Sequence, residues 1–324
     1  MSTPLLKVEK PGLMTTIQDL GRTGYQQYGI VVSGAMDSFA VRVANILVGN
    51  EESDAALEVT MMGPHIEFLA DTVLAIGGAD LSASLDDKRI PPWKSVYVKK
   101  GQVLSFGKPE HGMRAYVAVN GGIEVEPLLG SKSTYVKAKM GGIEGRELQK
   151  GDVLNGRPSS KEVLQKVAGL VVSRELLPDY ISSQPIRVIG GPDETAFTKS
   201  GLETFYSGEY ECTRDVDRMG YRLLGPVIEH KETADILSDA VTMGTIQVPS
   251  NGQPIILLAD RQTSGGYARI GTVISVDLPR LAQQAPGGKI RFQSISIEKA
   301  EQLLRNREKA LFQLSLGVGS STQQ

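Results

Sequence analysis

A run of polar side chains and glycines in the last third of the chain carries residue types that could bind and activate a small molecule. The predicted strand Ile255–Ala259 leads directly into a carboxylate, a guanidinium, an amide and two hydroxyls, and then into a double glycine. These side chains offer hydrogen-bond donors and acceptors, and glycine lets the backbone approach a ligand closely. We predict a binding site here, in which Asp260 orients Arg261. Its candidate residues are Gln247, Asp260, Arg261, Gln262, Thr263, Gly265, Gly266 and Tyr267.

A second segment, 215–223, mixes two acids and two arginines with a tyrosine. Arginine recognises planar carboxylates through two parallel hydrogen bonds, so Asp217 and Arg218 are candidates for a ligand site. A turn that is held together by salt bridges is the other interpretation of these residues.

Two segments near the N-terminus combine polar residues with glycine in a similar way. The first segment carries Asp19 and Arg22, three positions apart. These two side chains could pair with each other or hold a polar ligand. The second precedes a predicted helix over Met36–Val48, where free backbone amides could bind an anion or Asp37 could simply cap the helix. The candidate binding residues of these segments are Gln18, Asp19, Arg22, Ser33 and Gly34.

Several common active-site patterns are missing from the sequence. The nucleotide-binding pattern G-x-x-x-x-G-K-[ST] is absent, since Ser131 separates the glycine from the lysine in the nearest string, Leu129–Ser133. The three histidines are scattered and Cys212 is the single cysteine, so we expect neither a metal site nor an internal disulfide.

Charge and hydropathy exclude further classes of protein. The chain has 35 Lys and Arg residues against 37 Asp and Glu residues, which is no basic excess for binding a phosphate backbone. No apolar run reaches the roughly 18 residues of a membrane span, and the N-terminus has no secretory pattern. We therefore expect a cytoplasmic protein with neither a nucleic-acid partner nor a membrane partner.

The elements that must position these residues are mostly short strands. Strand-like runs alternate with turns, and glycine is frequent, with 36 of 324 residues. The sequence therefore predicts a mainly β protein with a few short helices. A polar stretch that ends at Pro185 divides the predicted domains, which are 1–182 and 183–312, and residues 313–324 are predicted to form a flexible tail.

Two more helices are predicted in the second domain. One covers Asp193–Phe205 and is expected to break near Gly201, because glycine weakens a helix interior. The other covers Glu298–Leu311, where apolar residues share one face and charged residues lie opposite.

Six strings of the sequence, in order between about Lys7 and Ile297, resemble the biotin-dependent carboxyltransferase family called allophanate hydrolase subunit 2. The strings are Gln18–Arg22, Ser33–Asp37, Ala44–Asn50, Asp217–Leu223, Gly244–Pro249 and Asp260–Tyr267. The resemblance implies two cyclophilin-like β-barrel domains.

The resemblance also implies a function in a complex. The expected role is the C subunit of an ATP-dependent 5-oxoprolinase, which works with partner A and B subunits, the latter KipI-like. Together they cleave 5-oxo-L-proline to L-glutamate, and the chain is expected to be inactive without those partners. We expect catalytic roles for Asp217, Arg218, Asp260 and Arg261, with ATP used by the complex.

Two alternatives stay open on the sequence. One is a regulator that binds the KipI-like protein and relieves its inhibition of a sporulation histidine kinase. The other is a carboxyltransferase that acts on urea-like or allophanate-like amides with carboxybiotin. Biotin is not expected to be attached to this chain, because no lysine lies between two methionines as in a biotin carrier.

Overall fold

The computed structural model describes residues 2–323, with side chains described as far as Gly319. The chain forms two compact units, each assembled from separate parts of the sequence. Unit 1 comprises Met1–Arg22, Ser33–Tyr180 and Lys309–Gln324, and unit 2 comprises Thr23–Val32 and Ile181–Glu308. Segments 23–32 and 309–324 belong to the opposite unit from their sequence neighbours, an exchange that the two contiguous predicted domains did not include.

Unit 1 contains two antiparallel sheets that share a hydrophobic core. Its strands are β1 (Thr3–Lys10), β2 (Met14–Gln18), β3 (Ala56–Thr60), β4 (His65–Phe68), β5 (Thr72–Asp80), β6 (Ser84–Leu85), β7 (Lys88–Arg89), β8 (Ser95–Val98), β9 (Val103–Ser105), β10 (His111–Val119) and β11 (Val153–Gly156). One sheet has the strand order β11-β1-β4-β9-β6-β7 and the other has the order β2-β3-β10-β5-β8. Leu6 and Phe68 of the first sheet are buried in one cluster with Leu57 and Val117 of the second.

Two α-helices lie entirely within unit 1. They are α1 (Ser38–Leu47) and α2 (Lys161–Val167). The helix predicted over Met36–Val48 is confirmed as α1, and the Asp37 side chain caps it by accepting from Ala40 N. The helix packs against β5 and β10. A Cβ at Gly77 of β5 would lie only 2.5 Å from Ala40 O, so a glycine is needed for this close approach.

Unit 2 is a closed barrel of seven strands with a separate two-stranded ribbon. Its strands are β12 (Ile186–Gly190), β13 (Glu209–Val216), β14 (Gly220–Leu224), β15 (Asp235–Ala240), β16 (Thr245–Gln247), β17 (Ile255–Leu257), β18 (Ser264–Tyr267), β19 (Arg269–Val273) and β20 (Lys289–Ser294). The barrel order is β12-β19-β16-β17-β14-β13-β20, and β15 pairs with β18 to form the ribbon. The predicted mainly β fold with few helices is confirmed.

Three helices begin in unit 2, and one of them differs from the sequence prediction in where it starts. They are α3 (Lys199–Ser207), α4 (Leu278–Ala282) and α5 (Ile297–Gln323). The predicted break near Gly201 is wrong, because α3 begins after its N-cap Thr198 and contains Gly201. A Cβ at Gly201 would lie 2.4 Å from Glu229 O, so this glycine serves a close contact rather than a helix end.

Helix α5 is longer than the sequence predicted. It extends through the predicted flexible tail as far as Gln323. Leu311 and Val318 are buried in a hydrophobic cluster of unit 1, and a spacing of seven residues puts them on the same face of the helix. This buried face explains why the helix continues past Leu311. Over residues 2–323, none of the helices combines the length and the apolar composition that a membrane span requires.

Candidate functional site

The predicted site residues form two clusters, one within each unit. Unit 2 holds Asp217, Arg218, Gln247, Asp260, Arg261, Gln262, Thr263, Gly265, Gly266 and Tyr267. Unit 1 holds Gln18, Asp19, Arg22, Ser33 and Gly34. The two clusters differ in how their charges are balanced.

A buried ion pair lies at the centre of the cluster in unit 2. Arg218 follows β13 and Asp260 follows β17, and only 5% and 6% of these residues is exposed. The Arg218 Nε lies 2.9 Å from Asp260 Oδ2, and its Nη2 lies 3.0 Å from Oδ1. Asp260 N also donates to Arg218 O over 2.8 Å. The two-point contact fixes the orientation of the guanidinium plane. The sequence predicted that Asp260 orients Arg261, but the carboxylate holds Arg218 instead.

Arg261 directly follows Asp260 in the sequence. It is also buried, but carbonyl groups rather than a carboxylate hold its guanidinium. It is 9% exposed, its Nε donates to Val241 O over 3.3 Å, and its Nη1 donates to Leu258 O over 3.2 Å. Among the residues whose side chains are described, no carboxylate pairs with it. Burial lowers the pKa of this guanidinium, because the charged form has lost most of its water.

Asp217 is exposed and shapes the turn that carries Arg218. Its Oδ1 accepts from Met219 N over 2.7 Å and from Gly220 N over 3.1 Å. A Cβ at Gly220 would lie 2.7 Å from Ile256 O, so glycine lets this turn pack closely on β17. Asp217 therefore positions its neighbour Arg218 in this structure.

The remaining candidates of unit 2 lie on or beside the ribbon. The buried Gln247 donates from Nε2 to Tyr267 O over 3.1 Å, and a Cβ at Gly265 would lie 2.5 Å from the same Nε2. Thr263 O accepts from Val241 N over 3.1 Å. Gln262 and Gly266 are partly buried, whereas Tyr267 is exposed. Gly265 thus allows the ribbon to lie against the Gln247 amide.

The Asp19 carboxylate of unit 1 is satisfied by protein donors. One oxygen accepts from Gly21 N over 2.8 Å and from the hydroxyls of Ser131 and Ser133, and the other accepts from Lys132 N over 2.6 Å. These bonds attach the loop 131–133 to the end of β2. The carboxylate therefore holds the loop in place.

The same loop receives the other candidates of unit 1. Gln18 Nε2 donates to Thr134 O over 3.0 Å, and Ser33 Oγ donates to the same carbonyl over 3.1 Å. Arg22 Nη2 donates to Ser133 O. A Cβ at Gly34, which has a φ of +87°, would lie 2.8 Å from Gly21 N. The cluster in unit 1 is thus a compact set of contacts between the end of β2, the segment before α1 and the loop 131–134.

A buried network of two acids and two tyrosines surrounds the start of α1. Tyr116 OH donates to Glu58 Oε2 over 2.7 Å and accepts from Asp37 N over 2.8 Å. Tyr180 OH donates to Asp37 Oδ2 over 2.6 Å, and Met36 N donates to Glu58 Oε2 over 2.9 Å. Burial and the neighbouring carboxylates raise the pKa of both tyrosines well above the usual value, so both keep their protons. Asp37 acts here as a helix cap within a protein network.

Sequence reasoning missed the partners in unit 1. They are Glu58, Tyr116, Ser131, Ser133, Thr134 and Tyr180. The run of four polar residues from 131 to 134 was a visible signal, since such a run could bind a carboxylate from elsewhere in the chain. Glu58 and Tyr116 face each other across β3 and β10, which a single sequence does not reveal.

Cys212 is a buried thiol of β13. Burial raises its pKa to about 12, so it is protonated near neutral pH and is a poor nucleophile. Within the described part of the chain, no three His, Cys, Asp or Glu side chains converge as metal ligands would.

Relatives of known name match nearly the whole chain. The C subunit of the 5-oxoprolinase of Escherichia coli (strain K12) is 37% identical over 311 residues, which cover 96% of this chain and 98% of that protein. The C subunit of the 5-oxoprolinase of Haemophilus influenzae is 38% identical over 301 residues, which cover 92% of this chain and 94% of that protein.

A solved structure shares the fold. The crystal structure of the K. lactis urea amidolyase superposes with a TM-score of 0.88 at 32% identity, over 97% of this chain. This chain spans only 20% of that larger protein. The family described as "Carboxyltransferase domain, subdomain A and B" matches residues 28–294. The resemblance that the six sequence strings indicated is confirmed, and the chain belongs to the carboxyltransferase domain, subdomain A and B, family.

Proposed function

We propose that this chain is the C subunit of an ATP-dependent 5-oxoprolinase. The observation that carries the proposal is coverage, since the match to the C subunit of the Escherichia coli 5-oxoprolinase covers 98% of that protein and 96% of this chain. In the urea amidolyase, by contrast, the matching part is 20% of a much longer chain. The match to the C subunit therefore extends over nearly all of that protein, which supports the first kind of enzyme.

The cluster in unit 2 is the best candidate for a substrate site on this chain. Opening a lactam requires donors that stabilise charge on the carbonyl oxygen and groups that hold the ring in place. Arg218 is held rigidly by Asp260 and Arg261 is held by two carbonyls, so both guanidinium groups are oriented before a ligand arrives. The amide of Gln262 and the hydroxyl of Thr263 follow directly and are only partly buried.

The loop nearest in sequence to a phosphate-binding pattern does not fit a nucleotide. Ser131, Ser133 and Lys132 N all donate to Asp19, and Lys132 Nζ donates to Ile123 O over 3.0 Å. A phosphate cradle needs such donors to point at the ligand. ATP would activate the lactam oxygen by phosphorylation in the complex, while the role proposed for this chain is to bind and orient the lactam.

Reconstitution tests the proposal. The purified chain is mixed with the A and B subunits of the complex, ATP and 5-oxo-L-proline, and L-glutamate is measured. Each component is then omitted in turn. Glutamate that requires all three chains supports the proposal, and the chain is expected to be inactive alone.

The same assay separates the two alternatives. Capture of the KipI-like subunit without glutamate formation would favour the regulator. The carboxyltransferase alternative draws support from the fold that is shared with urea amidolyase, and it predicts turnover of urea that depends on added carboxybiotin.

A further inference from the structure

Arg261 is a buried cation, and among the residues whose side chains are described no carboxylate pairs with it to balance its charge. Buried charges usually have an opposite partner, because removing them from water is costly. Arg218 has such a partner in Asp260, and together they are neutral. Arg261 contacts two carbonyl oxygens, which carry only partial charges. The buried part of the cluster therefore keeps one positive charge.

One nitrogen of Arg261 is available to a ligand. Nε and Nη1 each donate to a carbonyl, and no atom in the described part of the chain accepts a hydrogen bond from Nη2. Nη2 is also not among the fully buried nitrogens that lack an acceptor. A ligand oxygen at Nη2 would supply both the missing acceptor and the missing charge.

The backbone fixes the direction of this guanidinium. Val241 follows β15 and Leu258 follows β17, so the two acceptors come from different strands. Val241 N donates in turn to Thr263 O over 3.1 Å, which ties the first acceptor to the segment that carries Arg261. A donor that is oriented in advance loses little entropy when it binds.

We propose that Arg261 binds the carboxylate of a small monoanionic substrate. One positive charge and one available nitrogen match a carboxylate, whereas a phosphate dianion would leave a negative charge unbalanced and would need more donors. The inference rests on the proposed function, under which the ligand is 5-oxo-L-proline. The carboxylate of that molecule is attached beside the ring nitrogen, and the lactam carbonyl lies on the other side of the nitrogen. Arg261 therefore anchors a group that does not react.

Calorimetric titration of the full chain tests this assignment without turnover. The ligands are 5-oxo-L-proline, 2-pyrrolidinone, which is the same ring without the carboxylate, and inorganic phosphate. We expect the wild-type chain to bind 5-oxo-L-proline about tenfold or more tightly than 2-pyrrolidinone, as a charged hydrogen bond implies. Arg261→Met should bind the two lactams equally, and Arg261→Lys should keep part of the preference.

The control is Arg291→Met, which removes an exposed arginine of β20 and should behave as wild type. Thermal melting of each variant verifies that it is folded. A wild-type preference in Arg261→Met overturns the proposal, and so does a wild-type chain that does not bind 5-oxo-L-proline. Tighter binding of phosphate than of 5-oxo-L-proline, lost in Arg261→Met, also overturns it and assigns a phosphate site instead.

Failure of the proposed carboxylate anchor can be distinguished from failure of the proposed function. If the reconstituted complex makes no glutamate but Arg261→Met loses the preference for the carboxylate, the site stands and the 5-oxoprolinase assignment falls. If glutamate forms and its KM for 5-oxo-L-proline is the same in wild type and Arg261→Met, the function stands and the anchor is wrong.

Discussion

The Asp19 cluster of unit 1 and the Arg261 cluster of unit 2 use similar residue types to opposite effect. The Asp19 carboxylate accepts hydrogen bonds from four protein donors. The Arg261 guanidinium has two carbonyl partners and no carboxylate among the residues described. A charge whose bonding capacity is filled by the protein stabilises the fold, whereas one that is left partly unfilled is prepared for a ligand.

The largest expected effect is the loss of the buried ion pair between Arg218 and Asp260. Asp260→Ala leaves Arg218 buried without its carboxylate, which should lower the free energy of unfolding by about 3–5 kcal/mol. Urea denaturation measures the change. Glu301→Ala, which removes the exposed partner of Arg305, is the control and should cost less than about 0.5 kcal/mol. If Asp260→Ala lowered the free energy of unfolding as little as the control does, Asp260 would not be the partner that stabilises the buried Arg218.

The second-largest loss of stability is expected in unit 1. Asp19→Ala removes the acceptor that the loop 131–133 depends on, and buried donors left without partners should cost about 2–3 kcal/mol. The variant should nevertheless bind 5-oxo-L-proline as wild type does, because the proposed ligand site is in unit 2. Loss of binding in a folded Asp19→Ala chain would break the distinction between the two clusters.

The single cysteine gives a pH-dependent measure of unit 2. The pKa of Cys212 is raised to about 12 in the folded chain, against about 8.5 in an unfolded one. Its contribution to stability is therefore complete below about pH 8.5 and is lost as the pH rises towards 12. Denaturation should show a loss of about 1–2 kcal/mol between pH 7 and pH 10 that is smaller in Cys212→Ala. Equal pH slopes in the two chains would mean that the thiol is not buried as described.

The smallest effect on stability should come from Arg261 itself. Arg261→Met replaces a buried, unbalanced charge with an apolar side chain of similar length, so the free energy of unfolding should stay within about 1 kcal/mol or rise. A loss of several kcal/mol would place Arg261 with Asp19 as a structural residue. The comparison is sharpest when Arg261→Met and Asp19→Ala are measured side by side.

Local patterns predicted much of the fold, including elements that carry the candidate site residues. The strand before Asp260, the cap at Asp37 and the start of α5 follow from periodicity and from residue types in one stretch of chain. The partner of Asp260 could not be predicted from one stretch of chain. Arg218 lies 42 positions away, and closure of the barrel brings the two residues together. The contacts of Asp19 with the loop at 131–133 were missed for the same reason.

The two units are interlaced along the chain, and this has a consequence for synthesis on the ribosome. Leu311, which is fully buried, and Val318 belong to a hydrophobic cluster of unit 1 that also contains Phe39 and Trp93. Leu311 and Val318 are synthesised after the segment 181–308 of unit 2, so the nascent unit 1 must wait with part of its core open until that segment has been made. We expect unit 1 to complete its folding only after residues 309–318 have been made, and unit 2, whose segments all precede them, to be able to fold earlier.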